Sequence, residues 1–180
     1  SDSREVWALG LDGSGVVIAF ADSGLDRDHA CFRQGGNDTN ITGVPGLEHR
    51  KIITLNETID DWDTLSHQDG GHGTHIGGTL GCWFDNATSA VEGTSLSHGS
   101  RLVVQDIVNE EGWVPPDVDW LLWEALRNGA VIHSDSWGDD TVEYTARTYD
   151  FDAWSNEVPW SVAFIAPGNN RGQIMEPANA

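Results

Sequence analysis

The side chains best suited to chemistry are an aspartate and a histidine beside predicted elements. Asp22 directly follows the apolar run Val16–Ala21, and His72 stands between two glycines at the start of a predicted helix. An imidazole titrates near neutral pH and is the usual general base of enzymes, and a carboxylate can orient it. Taken singly, each residue also suits a plain role: Asp22 a turn or helix cap, and His72 a capped or surface histidine.

A metal site is the second interpretation of the histidine segment. His72 and His75 lie three positions apart, so a helix would bring them to one face, where a carboxylate could complete the site. The common zinc-protease pattern instead spaces its histidines by four around a glutamate, which this segment lacks. We therefore favour acid–base chemistry over metal binding.

Two further polar segments follow apolar runs, Ser134–Gly138 and Ala166–Asn170. The amide of Asn169 could donate a hydrogen bond to an oxyanion that forms in a cleft. A turn asparagine after Pro-Gly is the simpler explanation of the same residue.

The elements that must position these segments alternate between strand-like and helix-like patterns. Val16–Ala21 is a continuous apolar run, which is typical of a strand buried on both faces. Further strand candidates lie at 51–55, which is weaker, at 102–108, at 130–132 and at 160–165. Helices are predicted at 72–82, 117–128 and 144–158, between successive runs. This alternation predicts one α/β domain with a doubly wound, mostly parallel sheet and helices on both faces. In such sheets ligands bind beyond the carboxyl ends of the strands.

The helix predicted at 72–82 contains four glycines, Gly73, Gly77, Gly78 and Gly81. Each weakens a helix by about 1 kcal/mol relative to alanine. We therefore expect the backbone of this helix to approach another part of the molecule closely.

Taken together, the polar segments resemble motifs of the subtilisin-like serine proteases, or subtilases. The matching motifs are Asp22-Ser23-Gly24, Gly71-His72-Gly73-Thr74-His75-Ile76-Gly77-Gly78, Ser136-Trp137-Gly138 and Gly168-Asn169, in that order. The resemblance covers nearly the whole chain, and its histidine motif is highly specific. It implies a subtilisin-like fold over a single catalytic domain, residues 1–180, and an endopeptidase acting on polypeptides. It also implies catalytic roles for Asp22, His72 and Asn169, and substrate-binding roles for Ser134, Ser136, Trp137, Gly138 and Gly168.

The nucleophilic serine of the family has no counterpart in this sequence. It normally follows the asparagine by several dozen residues in a G-T-S-M-A-x-P motif, and the sequence continues for 11 residues after Asn169. Gly93-Thr94-Ser95 resembles that motif superficially, but it precedes the third strand instead of opening a late helix. We therefore expect the domain to be incomplete without its C-terminal third.

Three hypotheses explain the missing serine. The chain is one fragment of a protease whose C-terminal fragment supplies the serine, or it is a truncated product, or it is a non-catalytic binding or structural protein on a subtilase scaffold. The catalytic-looking aspartate, histidine and asparagine favour the first, because a scaffold does not need them. An incomplete sheet would expose the apolar face around Trp160–Ile165.

The charge balance excludes several kinds of partner. The formal net charge is −20, from 29 acidic and 9 basic residues, so binding to nucleic acid or anionic membranes is disfavoured. The acidity fits either the surface of a secreted protein or adaptation to high salt. No apolar run is long enough to span a membrane. Together with the family resemblance, the charge predicts an extracellular or cell-surface location.

Several details stay open at the level of sequence. Cys31 and Cys82 form either one disulfide or two buried thiols. Asp135 either faces the cleft, where it would favour basic substrate side chains, or faces away from it. The chemistry requires no cofactor, but the family resemblance allows structural calcium. Candidate calcium ligands are Asp60, Asp61 and Asp63, or Asn37, Asp38 and Asn40, and none of them is assigned as a site.

Overall fold

A computed structural model describes residues 3–35, 42–56, 63, 70–84 and 94–180. The described strands are β1 (Val17–Asp22), β2 (Ile52–Asn56), β3 (Arg101–Asp106), β4 (Val108–Asn109), β5 (Gly112–Trp113), β6 (Ile132–Asp135) and β7 (Val162–Ile165). The described helices are α1 (His72–Gly81), α2 (Val118–Arg127) and α3 (Ala146–Glu157), preceded by a 3-10 helix over Ser3–Leu9.

Five of these strands form one parallel sheet in the order β2-β3-β1-β6-β7. The chain moves outward from β1 in one direction through β3 and β2, and in the other through β6 and β7. This reversal at β1 confirms the doubly wound topology and places the carboxyl ends of the strands at one edge. The apolar run at 102–108 is not one strand, however, because β4 turns away to pair with β5 in a small antiparallel hairpin.

Alternate residues of the central strands pack against opposite layers, as the period of two in a strand requires. Ile18 and Phe20 lie in a core cluster packed by Ile76 and Leu80 of α1. Ala19 lies in the cluster that contains Ala125 of α2 and Val103 of β3. Helices therefore cover both faces of the sheet, as predicted.

The last strand, β7, has exposed apolar side chains. Val162 and Phe164 are 47% and 61% exposed, and Trp160 just before the strand is 61% exposed. Within the described residues β7 pairs with β6 on one edge, and its other edge ends the sheet. An apolar surface is therefore open at the place where an incomplete sheet was expected to expose one.

The two cysteines form a disulfide, which decides between the two alternatives left open. Cys31 and Cys82 lie with their Cα atoms 4.6 Å apart, beside the core cluster under α1. The bridge ties the segment after β1 to the residue that directly follows α1. No helix in the described part of the chain combines the length and apolar character that a membrane crossing needs.

Candidate active site

The aspartate and the histidine singled out in the sequence are hydrogen-bonded to each other. Asp22 is the last residue of β1 and His72 the first of α1, and His72 Nδ1 lies 2.7 Å from Asp22 Oδ1. A carboxylate accepts, so Nδ1 carries the hydrogen and Nε2 is the basic nitrogen of this tautomer. The Asp22 side chain is fully buried, whereas 40% of the His72 side chain is exposed. This is the geometry of a general base oriented by a buried acid.

The glycine-rich start of α1 explains how the two side chains come so close. A Cβ atom on Gly73 would lie 2.2 Å from the carbonyl oxygen of Gly24, so only glycine fits there. One turn later, a Cβ on Gly77 would press on Leu25 and Phe20 at 3.0 and 3.1 Å. The expected close backbone approach is thus confirmed, and it brings the first turn of α1 against the end of β1.

Burial and hydrogen bonding act on the Asp22 carboxyl in opposite directions. Burial raises the pKa of Asp22 above its ordinary value, while the hydrogen bonds from His72 and from the Ser23 N–H lower it. Within the described residues, Asp22 Oδ2 has no hydrogen-bond partner. The buried negative charge of Asp22 is therefore incompletely hydrogen-bonded, and a positive charge on His72 would stabilise it.

Asp63 belongs to the site, but it was named from the sequence only among the calcium candidates. Its Oδ1 accepts hydrogen bonds from the Gly71 N–H and the Ser23 hydroxyl, both at 2.8 Å, and its Oδ2 accepts from the Thr74 N–H at 2.7 Å. The Ser23 hydroxyl in turn accepts from the Gly73 N–H at 2.9 Å. Asp63 thus satisfies amides that the start of a helix leaves unpaired, and fastens that start to the end of β1.

A cleft of about 550 Å³ opens in front of His72. Its wall includes the predicted substrate-binding residues Ser136, Trp137, Gly138 and Gly168, together with Asn169. Trp113 of the β4–β5 hairpin also lines it and packs edge-on against the His72 ring, with centroids 5.9 Å apart. The structure therefore brings the start of α1 and the segments after β6 and β7 to one cleft, at the carboxyl ends of the parallel strands.

Asn169 reaches the cleft although a proline stands two residues before it. Gly168 has a φ of 87°, and a Cβ there would lie 2.3 Å from Met175 Cγ, so only glycine suits this turn. The Met175 N–H also donates to the Pro167 carbonyl at 2.9 Å. The exposed Asn169 side chain follows this turn into the cleft, where its role as an oxyanion donor stays a prediction.

Two residues of the segment 134–138 lie behind the cleft instead of in it. Ser134 is inside the sheet, in register with Phe20 of β1 and Phe164 of β7, and does not line the cleft. At Ser134, β6 is paired with β1 on one edge and with β7 on the other. The predicted contact of Ser134 with substrate therefore finds no support in this geometry. Asp135 is 1% exposed and faces the interior, so it does not present a charge to substrate.

Ser95 lies at the opposite end of α1 from His72. Its hydroxyl donates to the Thr79 carbonyl at 2.7 Å, and its N–H donates to the Cys82 carbonyl at 3.0 Å. Thr79 follows His72 by seven positions in the helix, which corresponds to a distance of about 10 Å along its axis. The superficial nucleophile motif is therefore a structural contact at the C-terminus of the helix.

Metal ligands are not grouped in the described part of the chain, where no cluster of three or more His, Cys, Asp or Glu side chains is placed to hold an ion. The carboxylate of Asp63 is engaged with backbone amides and a hydroxyl. The calcium candidates at 37, 38, 40, 60 and 61 lie outside the described residues.

Comparison with known proteins finds similarity over most of the chain. The model of the subtilase family matches residues 13–180. The chain is 30% identical over 170 residues to the serine protease/ABC transporter B family protein tagD of Dictyostelium discoideum, covering 89% of this chain and 9% of that protein. It is 25% identical over 208 residues to bacillopeptidase F of Bacillus subtilis, covering 99% of this chain and 13% of that protein.

A solved structure shows the same fold at lower identity. The CspB protease of Clostridium perfringens superposes with a TM-score of 0.63 at 16% identity, covering 92% of this chain and 38% of that one. The chain thus spans a small part of the curated relatives and well under half of this structural neighbour.

Proposed function

Since this chain belongs to the subtilase family of serine proteases, we propose that it carries the Asp–His half of a serine endopeptidase active site. The observation that carries the proposal is the 2.7 Å hydrogen bond between Asp22 and His72 at the mouth of a cleft that Asn169 also lines. Neither a scaffold nor a binding module requires a half-exposed histidine fastened to a buried carboxylate.

Each group has a defined part in the proposed reaction. His72 Nε2 takes the proton of a serine hydroxyl as that oxygen attacks the scissile carbonyl, and Asp22 stabilises the imidazolium that results. Asn169 donates to the oxyanion of the tetrahedral intermediate. His72 then returns the proton to the leaving amine, and water repeats the sequence on the acyl-enzyme. The extended segment Ser136–Gly138 holds the polypeptide substrate by main-chain pairing.

We propose that the serine comes from a further segment of the same protease, and that residues 1–180 alone are inactive. The exposed side chains of Trp160, Val162 and Phe164, at 61%, 47% and 61%, support a surface that another segment covers. The chain's 9% share of tagD and 13% share of bacillopeptidase F is consistent with such a segment. The disulfide and the net charge of −20 favour an extracellular location, and no cofactor is needed for the chemistry.

Peptide hydrolysis by the native protein, isolated with any segment that accompanies it, tests this proposal. We expect His72→Ala to lower kcat/KM by at least about 10³-fold and Asn169→Ala by about 10²-fold. His75→Ala, on the same helix, is the matched control and should leave the rate unchanged. Loss of activity in the control would favour a metal site instead, and no hydrolysis by the native protein would favour a non-catalytic subtilase scaffold.

A further inference from the structure

A chain of buried polar side chains runs behind the cleft to the indole of Trp137. The Trp137 Nε1–H donates to Asp135 Oδ1 at 3.0 Å, and Asp135 Oδ2 lies 2.9 Å from His133 Nδ1. His133 Nε2 lies 2.8 Å from Gln105 Oε1. Asp135, His133 and Gln105 are each at most 2% exposed, and none of them lines the cleft.

The partners of Gln105 determine where the hydrogens of His133 lie. Gln105 Nε2 has two acceptors, the Leu121 carbonyl at 2.9 Å and Glu124 Oε2 at 2.5 Å. An amide nitrogen donates, so these acceptors fix the amide with its oxygen toward His133. His133 Nε2 must then donate to that oxygen, while Nδ1 faces a carboxylate. The 2.9 Å contact between Nδ1 and Asp135 Oδ2 requires a second hydrogen, and a hydrogen on Nδ1 lets both oxygens of Asp135 act as acceptors, one for His133 and one for the Trp137 indole.

We propose that His133 and Asp135 form a buried imidazolium–carboxylate pair whose role is to hold Trp137 as a fixed wall of the substrate cleft. Trp137 is 7% exposed, and its ring lies 5.3 Å from the guanidinium carbon of Arg147. Arg147 in turn donates to Glu176 and Asp139, which also line the cleft. The indole is thus held through its N–H by the pair and over its ring by a second ionic group.

Asp135 is on this proposal a positioning residue, which acts on substrate through Trp137. A carboxylate that faced the cleft would favour basic substrate side chains. The buried Asp135 instead influences which side chains fit, because it fixes the position of Trp137. The consequence for substrate choice rests on the proposed peptidase function, but the ion pair itself does not.

The ion pair can be tested in the 180-residue chain by NMR with ¹⁵N-labelled histidine and tryptophan. At neutral pH we expect both ring nitrogens of His133 to show directly bonded hydrogens. Asp135→Asn should keep the Trp137 indole resonance, since an amide oxygen still accepts from it, while one His133 nitrogen loses its hydrogen to accept from the new amide. Asp135→Ala should shift or broaden the indole resonance, which Trp137→Phe identifies by its disappearance.

Three results would overturn the proposal: one bare ring nitrogen on His133 in the unaltered chain, an unchanged indole resonance in Asp135→Ala, or a doubly protonated His133 in Asp135→Asn. The Asp135→Asn result decides the matter if Asp135→Ala does not fold. Ile52→Ala, a core truncation on β2 at the far side of the sheet, is the control for general destabilisation and should leave the Trp137 resonance in place.

The consequence for substrate choice is measured in the serine-complemented protease. Discrimination between peptides that differ in side-chain size at the cleft wall should fall about tenfold in Asp135→Ala, mainly through KM. Unchanged discrimination would refute the role of the pair in specificity. A protease without any activity would instead refute the proposed function, leaving the NMR result on the ion pair unaffected.

Discussion

Replacing Gly73 by alanine should separate the two halves of the proposed acid–base pair. The new Cβ would lie 2.2 Å from the Gly24 carbonyl oxygen, where contacts shorter than 3.0 Å essentially never occur, so the helix must move by about 0.8 Å. Such a shift would lengthen the 2.7 Å bond between His72 and Asp22 to about 3.5 Å, beyond hydrogen-bonding range.

The expected cost follows from two opposing effects. Overpacking a close contact costs about 1–3 kcal/mol, and alanine in a helix returns about 1 kcal/mol relative to glycine. Gly73→Ala should therefore lower the free energy of unfolding by up to about 2 kcal/mol. Gly78→Ala is the matched control in the same helix, because a Cβ there meets no atom within 4 Å, and it should raise the free energy by about 1 kcal/mol.

Urea unfolding followed by tryptophan fluorescence measures the difference between the two variants, and the low-field Nδ1–H resonance of His72 reports the bond to Asp22. We expect the free energies of unfolding of the two variants to differ by about 1–3 kcal/mol, with the resonance lost in Gly73→Ala and kept in Gly78→Ala. Equal stability of the two variants, or a retained resonance in Gly73→Ala, would refute it.

Further predictions concern the residues around this pair. Asp63→Ala removes three hydrogen bonds of 2.7–2.8 Å and should lower the free energy of unfolding by about 3 kcal/mol; a loss below about 0.5 kcal/mol in urea titrations would contradict its role as a clamp. Replacing Cys31 and Cys82 by serine opens a loop spanning 51 residues and should cost about 4 kcal/mol, again by urea unfolding, and an unchanged midpoint would argue against the bridge. Burial, with a smaller contribution from Arg50, lowers the pKa of Lys51 to about 8. The Lys51 amine keeps its proton up to a pH of about 10.4 in the unfolded chain, so between pH 8 and 10 the unfolded chain binds more protons than the folded one. The free energy of unfolding should therefore rise over this range, by about 2 kcal/mol more in the unaltered chain than in Lys51→Met. Parallel pH dependences in the two proteins would show that Lys51 is not the group responsible.

The strands and helices were predictable because the pattern that indicates each of them lies within a short stretch of sequence. Strands buried on both faces appear as continuous apolar runs, and the Asp117 and Asn128 caps mark the ends of α2 within one residue. The exposure of the edge strand β7 does not follow from its residues alone, because the run Trp160–Ile165 has the same composition whether or not another segment covers it.

The residues of the site were predictable only where they belong to a recognisable sequence motif. Asp22 and His72 come from a specific pattern, whereas Asp63 is one acidic residue among several in a loop, and its partners are backbone amides that any residue supplies. The buried pair behind the cleft did leave a signal. His133, Asp135 and Trp137 alternate along the chain, and a strand places such residues on one face. The sequence left open whether that face met the cleft or the interior.

Labelling the native protein with a fluorophosphonate tests the central claim most directly, because the reagent reacts with serines activated by an oriented histidine. We expect a label on a serine outside residues 1–180, in the same polypeptide or in one that co-purifies, and loss of that label in His72→Ala. A label on Ser95, a label that survives His72→Ala, or no label at all would contradict the assignment of Asp22 and His72 to a serine peptidase.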